Sequence, residues 1–140
     1  KKPSNPKRSK YTFAGWYTDS KLTQAWDFNT KIKSGKTLYA KWKKISLKQA
    51  VISKVQNVSG KKIKVTVKKV SGADGYQIQY STKSNMKSAK TVTSSKTTTT
   101  ISKLSKGKKY YVRVKAYKKD STGKKVAGKW SKVKNLKVSK

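Results

Sequence analysis

The chain of 140 residues carries 38 Lys and Arg against four Asp and Glu, so its formal net charge is +34. Residues of hydrophobic type make up 33% of the chain and aromatic residues 10%, which is enough to build a core and excludes disorder throughout. Cysteine is absent, which excludes disulfides and thiolate metal sites. The sequence shows no apolar run of about 18 residues and no signal-peptide pattern, so it predicts neither a membrane span nor a leader in this chain.

The first aromatic cluster of the chain is the stretch YTFAGWYTDSKLTQAWDF, residues 11–28, which holds six aromatic residues and two of the four Asp residues. Such a concentration is compatible with a binding surface, an active site or a very small core. A unit this short buries little surface unless its side chains are large, and one aromatic side chain buries about 150 to 250 Å².

From residue 45 onward, short stretches of alternating apolar and polar residues lie between turn signals, which is typical of an all-β sandwich. In KIKVTVKK, for example, Ile63, Val65 and Val67 alternate with lysines and Thr66, so one face is expected in the core and the other in water. The stretches GYQIQYS and KYYVRVKAY repeat the pattern. Further strands are expected at residues 50–55, 89–93, 97–101 and 126–138.

Three runs in this second part, GADGYQIQYS, LSKGKKYYVRVKAY and GKWSKVKNLKV, resemble a bacterial fibronectin type III domain that covers residues 45–140. The resemblance implies an immunoglobulin-like β-sandwich. Leu104, Gly107 and Tyr110 match the family motif at the turn before the sixth strand, which implies that the Tyr110 hydroxyl bonds back to the backbone. Lys106 replaces the usual Pro of this motif, and Val67 stands where the family often has Trp.

The blocks FAGWYTD, WDF and TLYAKW in the first part resemble the Listeria–Bacteroides repeat, also known as the internalin B-type repeat, over residues 1–44. The resemblance implies a small β-grasp-like unit with interior aromatic residues, and therefore favours a core over a ligand platform. The residues expected in this core are Trp16, Trp26, Phe28, Leu38 and Tyr39. Repeats of this kind usually begin with a further strand, so we interpret residues 1–44 as a module truncated at its N-terminus.

Catalysis by this chain would have to rely on few groups. General acid–base chemistry needs a group that titrates near neutral pH or a carboxylate tuned by a partner. Without His, Cys or Glu, the candidates are Asp19, Asp27, Asp74 and Asp120, which are dispersed and lie in turn-like contexts. The sequence therefore predicts a protein that is not an enzyme and holds no metal or cofactor.

The charge predicts attraction to polyanions. Because 36 of the 38 basic residues are Lys, and Arg is the side chain suited to bidentate base recognition, the composition disfavours specific nucleic-acid binding. The candidate polyanion-binding residues are Lys62, Lys64, Lys68, Arg113 and Lys115. A candidate surface aromatic patch comprises Tyr111, Tyr117 and Trp130, in which Trp130 is expected to stack on Arg113 or Lys115.

Both resemblances imply a secreted or surface protein of a Gram-positive bacterium. We therefore expect an extracellular, non-catalytic module that binds teichoic or lipoteichoic acids of the wall and accompanies other domains of its parent protein. Two alternatives remain open at this point. The lysines solvate a passive spacer between functional domains, or they bind host sulfated glycans as part of an adhesin.

Overall fold

The computed structural model describes residues 1–140, and its regular secondary structure consists of ten β-strands. By their contacts, the residues form two compact units. Unit 1 comprises residues 1–45 and 119–126, and unit 2 comprises residues 46–118 and 127–140. None of the elements is a helix of the length and apolar character that a membrane span requires.

The strands are numbered in chain order. Their bounds are β1 Tyr11–Tyr17, β2 Tyr39–Lys44, β3 Ile52–Val58, β4 Lys62–Val67, β5 Gly75–Ser81, β6 Lys90–Ser94, β7 Thr98–Ile101, β8 Lys109–Lys119, β9 Lys125–Ala127 and β10 Lys134–Lys137. The all-β class predicted from the alternating pattern is confirmed.

Unit 1 is built on the antiparallel pair of β1 and β2, with a register shift between Phe13 and Gly15. Gly15 has a φ of +121°, a conformation that residues with a Cβ rarely adopt, so the bulge depends on a glycine at this position. The Phe13 ring packs edge to face on Trp16 and Trp42, with centroid distances of 5.3 and 5.8 Å. This aromatic cluster supplies much of the apolar contact in a unit that has few aliphatic residues.

The segment 119–126 belongs to unit 1 through its hydrogen bonds to the backbone that leads into β1. The Asp120 carboxylate accepts the Lys10 N–H at 2.8 Å. The Ser121 hydroxyl accepts the Arg8 N–H at 2.7 Å and donates to the Arg8 carbonyl at 2.9 Å. The Ser121 N–H donates to the Tyr11 carbonyl at 2.8 Å. Unit 1 thus includes residues that the sequence analysis placed with the second half of the chain.

Unit 2 is a sandwich of two sheets. One sheet has the strand order β10-β8-β5-β6, with β9 also paired to β8, and the other has the order β3-β4-β7. The inward side chains predicted from the alternation are fully buried, as Ile63 and Val65 on β4 and Ile78 on β5 illustrate. Burial of one such side chain stabilises the fold by about 1.5 to 3 kcal/mol, and the apolar rows of both sheets meet in this core.

The strand predicted at residues 126–138 is wrong as a single element, because it is divided into β9 and β10. Between them the chain still bonds to β8. The Gly128 N–H donates to the Ala116 carbonyl at 2.9 Å, and the Ser131 N–H donates to the Val114 carbonyl at 2.7 Å. The Val114 N–H, however, donates to the Ser131 hydroxyl at 3.0 Å. A side-chain oxygen thus takes the place of a backbone carbonyl, which interrupts the regular ladder.

Truncation of a side chain at the centre of the unit 2 core should lower the stability of the unit strongly. Replacement Ile78→Ala removes a side chain with no exposed surface and should lower the free energy of unfolding of unit 2 by about 2 to 5 kcal/mol. Val133→Ala is the matched control, because Val133 is 42% exposed, and it should change stability by no more than about 0.5 kcal/mol. A urea titration followed through the NMR signals of unit 2 measures both. Equal effects of the two variants would contradict this assignment of the core.

Candidate functional site

Two cations stack on one indole ring on the outer face of β8. The Cζ atom of Arg113 lies 4.4 Å from the centroid of the Trp130 ring, and the Nζ atom of Lys115 lies 4.5 Å from it. The cation–π contact predicted between Trp130 and these residues is therefore present. Such contacts contribute about 0.5 to 1 kcal/mol each at exposed sites.

Arg113 is also tied to the neighbouring strand. Its Nε and Nη2 atoms donate to the Gln79 Oε1 atom at 3.0 and 2.7 Å. Gln79 lies directly opposite Arg113 in the β5–β8 pair, so the register of the sheet produces this contact. An arginine has five N–H donors, and these two bonds and the stacking leave its guanidinium only partly available to a ligand. These contacts connect β5, β8 and Trp130 on the surface of the sheet.

Tyr117 does not belong to the exposed aromatic patch, contrary to the prediction, because it is only 7% exposed. It lies opposite Gly75 in the β5–β8 pair. A Cβ atom at position 75 would lie 2.7 Å from the Tyr117 hydroxyl oxygen, which is too close. Because Gly75 has no Cβ atom, the Tyr117 ring can pack over β5 at this position. Tyr111 and Trp130 are half-buried.

The lysines of β4 occupy the other sheet. Lys62 is half-buried, and Lys64 and Lys68 are exposed, the last just beyond the end of the strand. Lys64 lies between Gln56 of β3 and Thr100 of β7, which carry no charge that could pair with it. Arg113 and Lys115 lie in the sheet that contains β8. The structure therefore does not bring the five candidate basic residues together in one patch.

The aromatic residues expected in the core of unit 1 differ in their burial. Trp16, Trp26 and Phe28 are half-buried, and the Trp26 and Phe28 rings pack edge to face at 6.3 Å. Tyr39 is 39% exposed, contrary to the expectation, because it lies at the end of the β1–β2 ladder opposite Tyr17. The indole Nε1 atoms of Trp16 and Trp26 are buried and have no hydrogen-bond partner in the structure.

The structural motif before β8 has the geometry that the resemblance implies. The Tyr110 hydroxyl accepts the Ser105 N–H at 3.1 Å, and Leu104 is buried. Gly107 has a φ of +81°, and its N–H donates to the Val138 carbonyl at 2.8 Å. These contacts fix the entry into the longest strand of the sheet.

The four carboxylates organise loops. Asp19 accepts the N–H groups of Gln24 and Thr23 and the Thr23 hydroxyl. The bond from the Gln24 N–H and then that from the Thr23 hydroxyl are the main causes that lower the pKa of Asp19. Asp27 accepts the Asn29 N–H at 2.9 Å, and Asp74 lies 3.5 Å from the Lys118 ammonium. No three acidic side chains converge on a point that could hold a metal.

Asp120 is the most strongly bound of the carboxylates. The hydroxyl of Thr122 donates to it at 2.6 Å, and the N–H groups of Lys10, Thr122 and Lys124 donate at 2.8, 2.9 and 3.1 Å. The Thr122 hydroxyl and the Lys10 amide, in that order, are the main causes that lower its pKa from 3.8 to about 2. Its role is to hold the 119–126 segment in unit 1.

A basic cavity in unit 2 was not found by the sequence analysis. Four lysines line it, namely Lys83, Lys87, Lys90 and Lys103. They come from two loops and a strand, so no local pattern marks them as one site. In the sequence, three of these lysines lie close together in KSNMKSAKT. Such spacing by itself is typical of a solvated loop and does not indicate a cavity.

Asp120 predicts an acid sensitivity of unit 1. Because the pKa of its carboxyl is lower in the folded state than its ordinary value, the stability it contributes is present above about pH 4 and is lost as pH falls toward about 2. Asp120→Asn turns an amide donor toward the N–H groups and should lower the stability of unit 1 at pH 7 and flatten this dependence. Thermal unfolding followed by tryptophan fluorescence measures it, with Asp27→Asn as the charge-matched control. The same pH profile for wild type and Asp120→Asn would contradict the role of Asp120.

Comparison with known families gives two matches that follow each other along the chain. The model of the Listeria-Bacteroides repeat domain matches residues 1–41, and that of the fibronectin type III domain matches residues 52–129. The second match covers more than half of the chain. Both resemblances inferred from the sequence are thereby confirmed.

A curated relative shares the first module. A protein of Evansella cellulosilytica, provisionally named a Gly-rich membrane protein, is 54% identical over 41 residues, which are 29% of this chain. The matched part spans 5% of that relative's length, so the similarity concerns the module and not the whole protein.

Solved structures resemble the second module. The FN1-FN3 domains of chicken CNTN1 superpose with a TM-score of 0.56 at 22% identity, over 74% of this chain and 37% of that one. The sixth fibronectin type III domain of human fibronectin type III domain containing protein 3 superposes with a TM-score of 0.54 at 19% identity. This match covers 69% of this chain and 90% of that one. At these identities the likeness establishes the fold.

Proposed function

Because this chain belongs to the fibronectin type III family and carries a Listeria-Bacteroides repeat at residues 1–41, we propose that it is a non-catalytic module that binds anionic polymers of the bacterial cell wall. Domains of both kinds are typical of extracellular or surface proteins. The proposed ligands are the teichoic and lipoteichoic acids, whose phosphates form a dense field of negative charge. The proposed place of action is the bacterial surface, within a larger parent protein.

The positive charge that cannot be neutralised within the chain is the observation that carries this proposal. Even if each of the four acidic residues paired with one of the 38 basic residues, 34 positive charges would remain. Two of the carboxylates, Asp19 and Asp120, accept several hydrogen bonds from backbone N–H groups and hydroxyls. The remaining charge must be balanced by small anions or by a polyanion. When a polyanion displaces the small anions, their release into solution raises the entropy and favours binding.

The distribution of the charge favours a polymer over a compact ligand. Lys64 lies on the sheet with order β3-β4-β7, and Lys115 lies on the other sheet of unit 2. Charges on both sheets cannot contact one small anion. A flexible polyanion reaches many of them in turn, and multivalency raises the affinity although each contact is weak.

The two arginines are engaged within the protein, which favours binding through lysine charges. The Arg8 Cζ atom lies 4.1 Å from the centroid of the Tyr11 ring, and Arg113 binds Gln79 and Trp130. A planar guanidinium held in this way is poorly placed to read the edge of a base. Lysine ammonium groups act as hydrated point charges, which suit a polymer of repeating phosphates that has no base sequence to be read.

Binding to purified cell walls tests the proposal. Sedimentation with walls should bring the protein into the pellet at about 150 mM salt, and raising salt from about 50 to 200 mM should weaken binding at least about tenfold. Chemical removal of teichoic acids from the walls should abolish pelleting. Pelleting that persists after this removal would overturn the teichoic acid assignment.

Competition distinguishes the other polyanions. Soluble teichoic acid should displace the protein from walls more effectively than heparin or duplex DNA at equal phosphate or sulfate concentration. Preferential displacement by heparin would overturn the proposal in favour of sulfated glycans as ligands. A protein that binds none of the polymers at physiological salt would be a passive spacer.

The contribution of the lysines on β4 and directly after it is separately testable. Replacement of Lys62, Lys64 and Lys68 by Gln together should weaken wall binding and reduce the logarithmic salt slope by up to about 0.9 per lysine, because each lost charge releases one counterion fewer. The matched control replaces the same three residues by Arg, which keeps the charge and should keep the slope. An unchanged slope in the Gln variant would show that β4 does not contact the polymer.

A further inference from the structure

We propose that the lysine-lined cavity at one end of unit 2 binds a single phosphate-bearing polyol or sugar unit, which would make it a defined subsite for a polymer of such units. The inference rests on the proposed function, because it concerns one repeating unit of the same class of polymer. The proposed function involves charge spread over the surface, whereas the cavity is one defined position at which specific groups would recognise the unit.

The cavity lies between two loops and has a volume of about 200 Å³. Lys83 and Lys87 come from the β5–β6 loop, Lys90 from the start of β6, and Lys103 from the β7–β8 loop. No acidic side chain lines it. Like charges gathered without a counter-charge repel each other, and a bound anion relieves this repulsion. A lining with four exposed lysines and no acidic residue therefore favours a phosphate as the charged part of the ligand.

Two aromatic rings and several hydroxyl groups provide the uncharged part of the site. Tyr80 and Tyr110 line the cavity, and their ring centroids are 6.3 Å apart at an interplanar angle of 50°. The exposed hydroxyl-bearing residues Thr82 and Ser88 also line it. Ser81 lines it as well, but its hydroxyl bonds within the β5–β6 loop. Aromatic faces pack on carbon-bound hydrogens, and hydroxyls bond to hydroxyls. This combination suits a polyol or sugar chain beside the phosphate.

The β5–β6 loop is held in a defined conformation. The Ser81 hydroxyl donates to the Lys87 carbonyl at 2.7 Å and accepts the Lys83 N–H at 3.1 Å. The Asn85 Oδ1 atom accepts the Lys87 N–H at 3.0 Å, and the Met86 side chain is only 7% exposed. These contacts place two of the lysine backbones before any ligand arrives. Such pre-organisation reduces the entropy lost on binding.

Three of the six non-glycine residues with positive φ lie in the same two loops. Met86, Ser88 and Lys103 have φ values of 61°, 54° and 58°, which are unfavourable for residues with a Cβ atom. The surrounding hydrogen bonds and packing must offset this cost. Strained residues of this kind cluster at ligand-binding sites, and the two at 88 and 103 line the cavity itself.

The size of the cavity limits the ligand. Pockets for drug-sized molecules have volumes of about 300 to 1,000 Å³, so about 200 Å³ accommodates one small unit. A polymer would enter this site one unit at a time and continue over the lysines outside it. We therefore expect glycerol 3-phosphate, the probe for such a unit, to occupy the cavity weakly but at a defined position.

An NMR titration of the uniformly ¹⁵N-labelled chain tests the proposal. Addition of glycerol 3-phosphate should shift amide signals at residues 80–90 and 103–104, and inorganic phosphate should shift the same signals with lower affinity. Uncharged glycerol should produce no saturable shifts. Shifts spread over other surfaces would overturn the site, and equal affinity for the two phosphates would overturn the assignment of a polyol or sugar.

Two variants of equal charge separate the cavity from general basicity. The first combines Lys83→Gln, Lys87→Gln, Lys90→Gln and Lys103→Gln. The control combines Lys54→Gln, Lys69→Gln, Lys129→Gln and Lys137→Gln, at exposed positions that do not line the cavity. The first should weaken glycerol 3-phosphate binding at least about tenfold, because charge-assisted contacts are lost, and the control less than about twofold. Equal losses would overturn the proposal.

The spectra of both variants must keep the dispersed signals of unit 2, which separates loss of binding from loss of folding. The result is also independent of the wall-binding test. If the protein pellets with walls but glycerol 3-phosphate leaves the cavity signals unchanged, the subsite is wrong and the proposed function stands. If the cavity binds the probe and teichoic acid fails to retain the protein, the proposed function is wrong and the site binds a free phosphorylated unit.

Discussion

The separation of lysines from buried apolar residues along strands such as β4 is the constraint on which the structure of unit 2 depends. A buried, unpaired ammonium group would cost several kcal/mol, and the chain has four carboxylates to offer as partners. Successive side chains of a β-strand point to opposite faces of the sheet, so lysines can face water while their apolar neighbours are buried. In β4 the odd positions from Ile63 to Val67 are buried, and Lys64 between them is exposed. A one-residue slip would bury lysines in the core, so charge and register enforce each other.

The scarcity of acidic residues also determines what the carboxylates do. On an ordinary surface most of them would pair with lysines, where an exposed pair contributes about 0 to 1 kcal/mol. Here Asp19 and Asp120 accept bonds from backbone N–H groups in loops that would otherwise leave those donors unpaired. A carboxylate is worth more to the fold in that role than in a surface pair. The protein thus keeps Asp19 and Asp120 close to the backbone, and with four carboxylates for 38 basic residues most of its positive charge has no internal counter-charge.

The sequence was sufficient to predict the features that depend on local pattern. Alternation predicted the inward rows of β4, β5 and β8, and short motifs identified both modules. Contacts that depend on a specific neighbour could not be predicted in the same way. The burial of Tyr117 follows from its position opposite Gly75, and the interruption between β9 and β10 follows from the Ser131 hydroxyl. Gly75 is far from Tyr117 in sequence, and Val114 is far from Ser131, so periodicity alone gave no signal of these contacts.

The candidate site shows the same limit. The stacking of Trp130 on Arg113 and Lys115 was predictable because a strand register aligns adjacent outward residues. The cavity was not predictable, because Lys83 and Lys103 belong to different loops and line one cavity only in the folded unit. The distinction has a functional consequence. Lysines spread over the strands create a long-range field that attracts any polyanion, and this field carries no information about the ligand's shape. Selectivity requires groups at fixed positions, and the phosphate subsite proposed above would supply them through the hydrogen-bonded loops around the cavity.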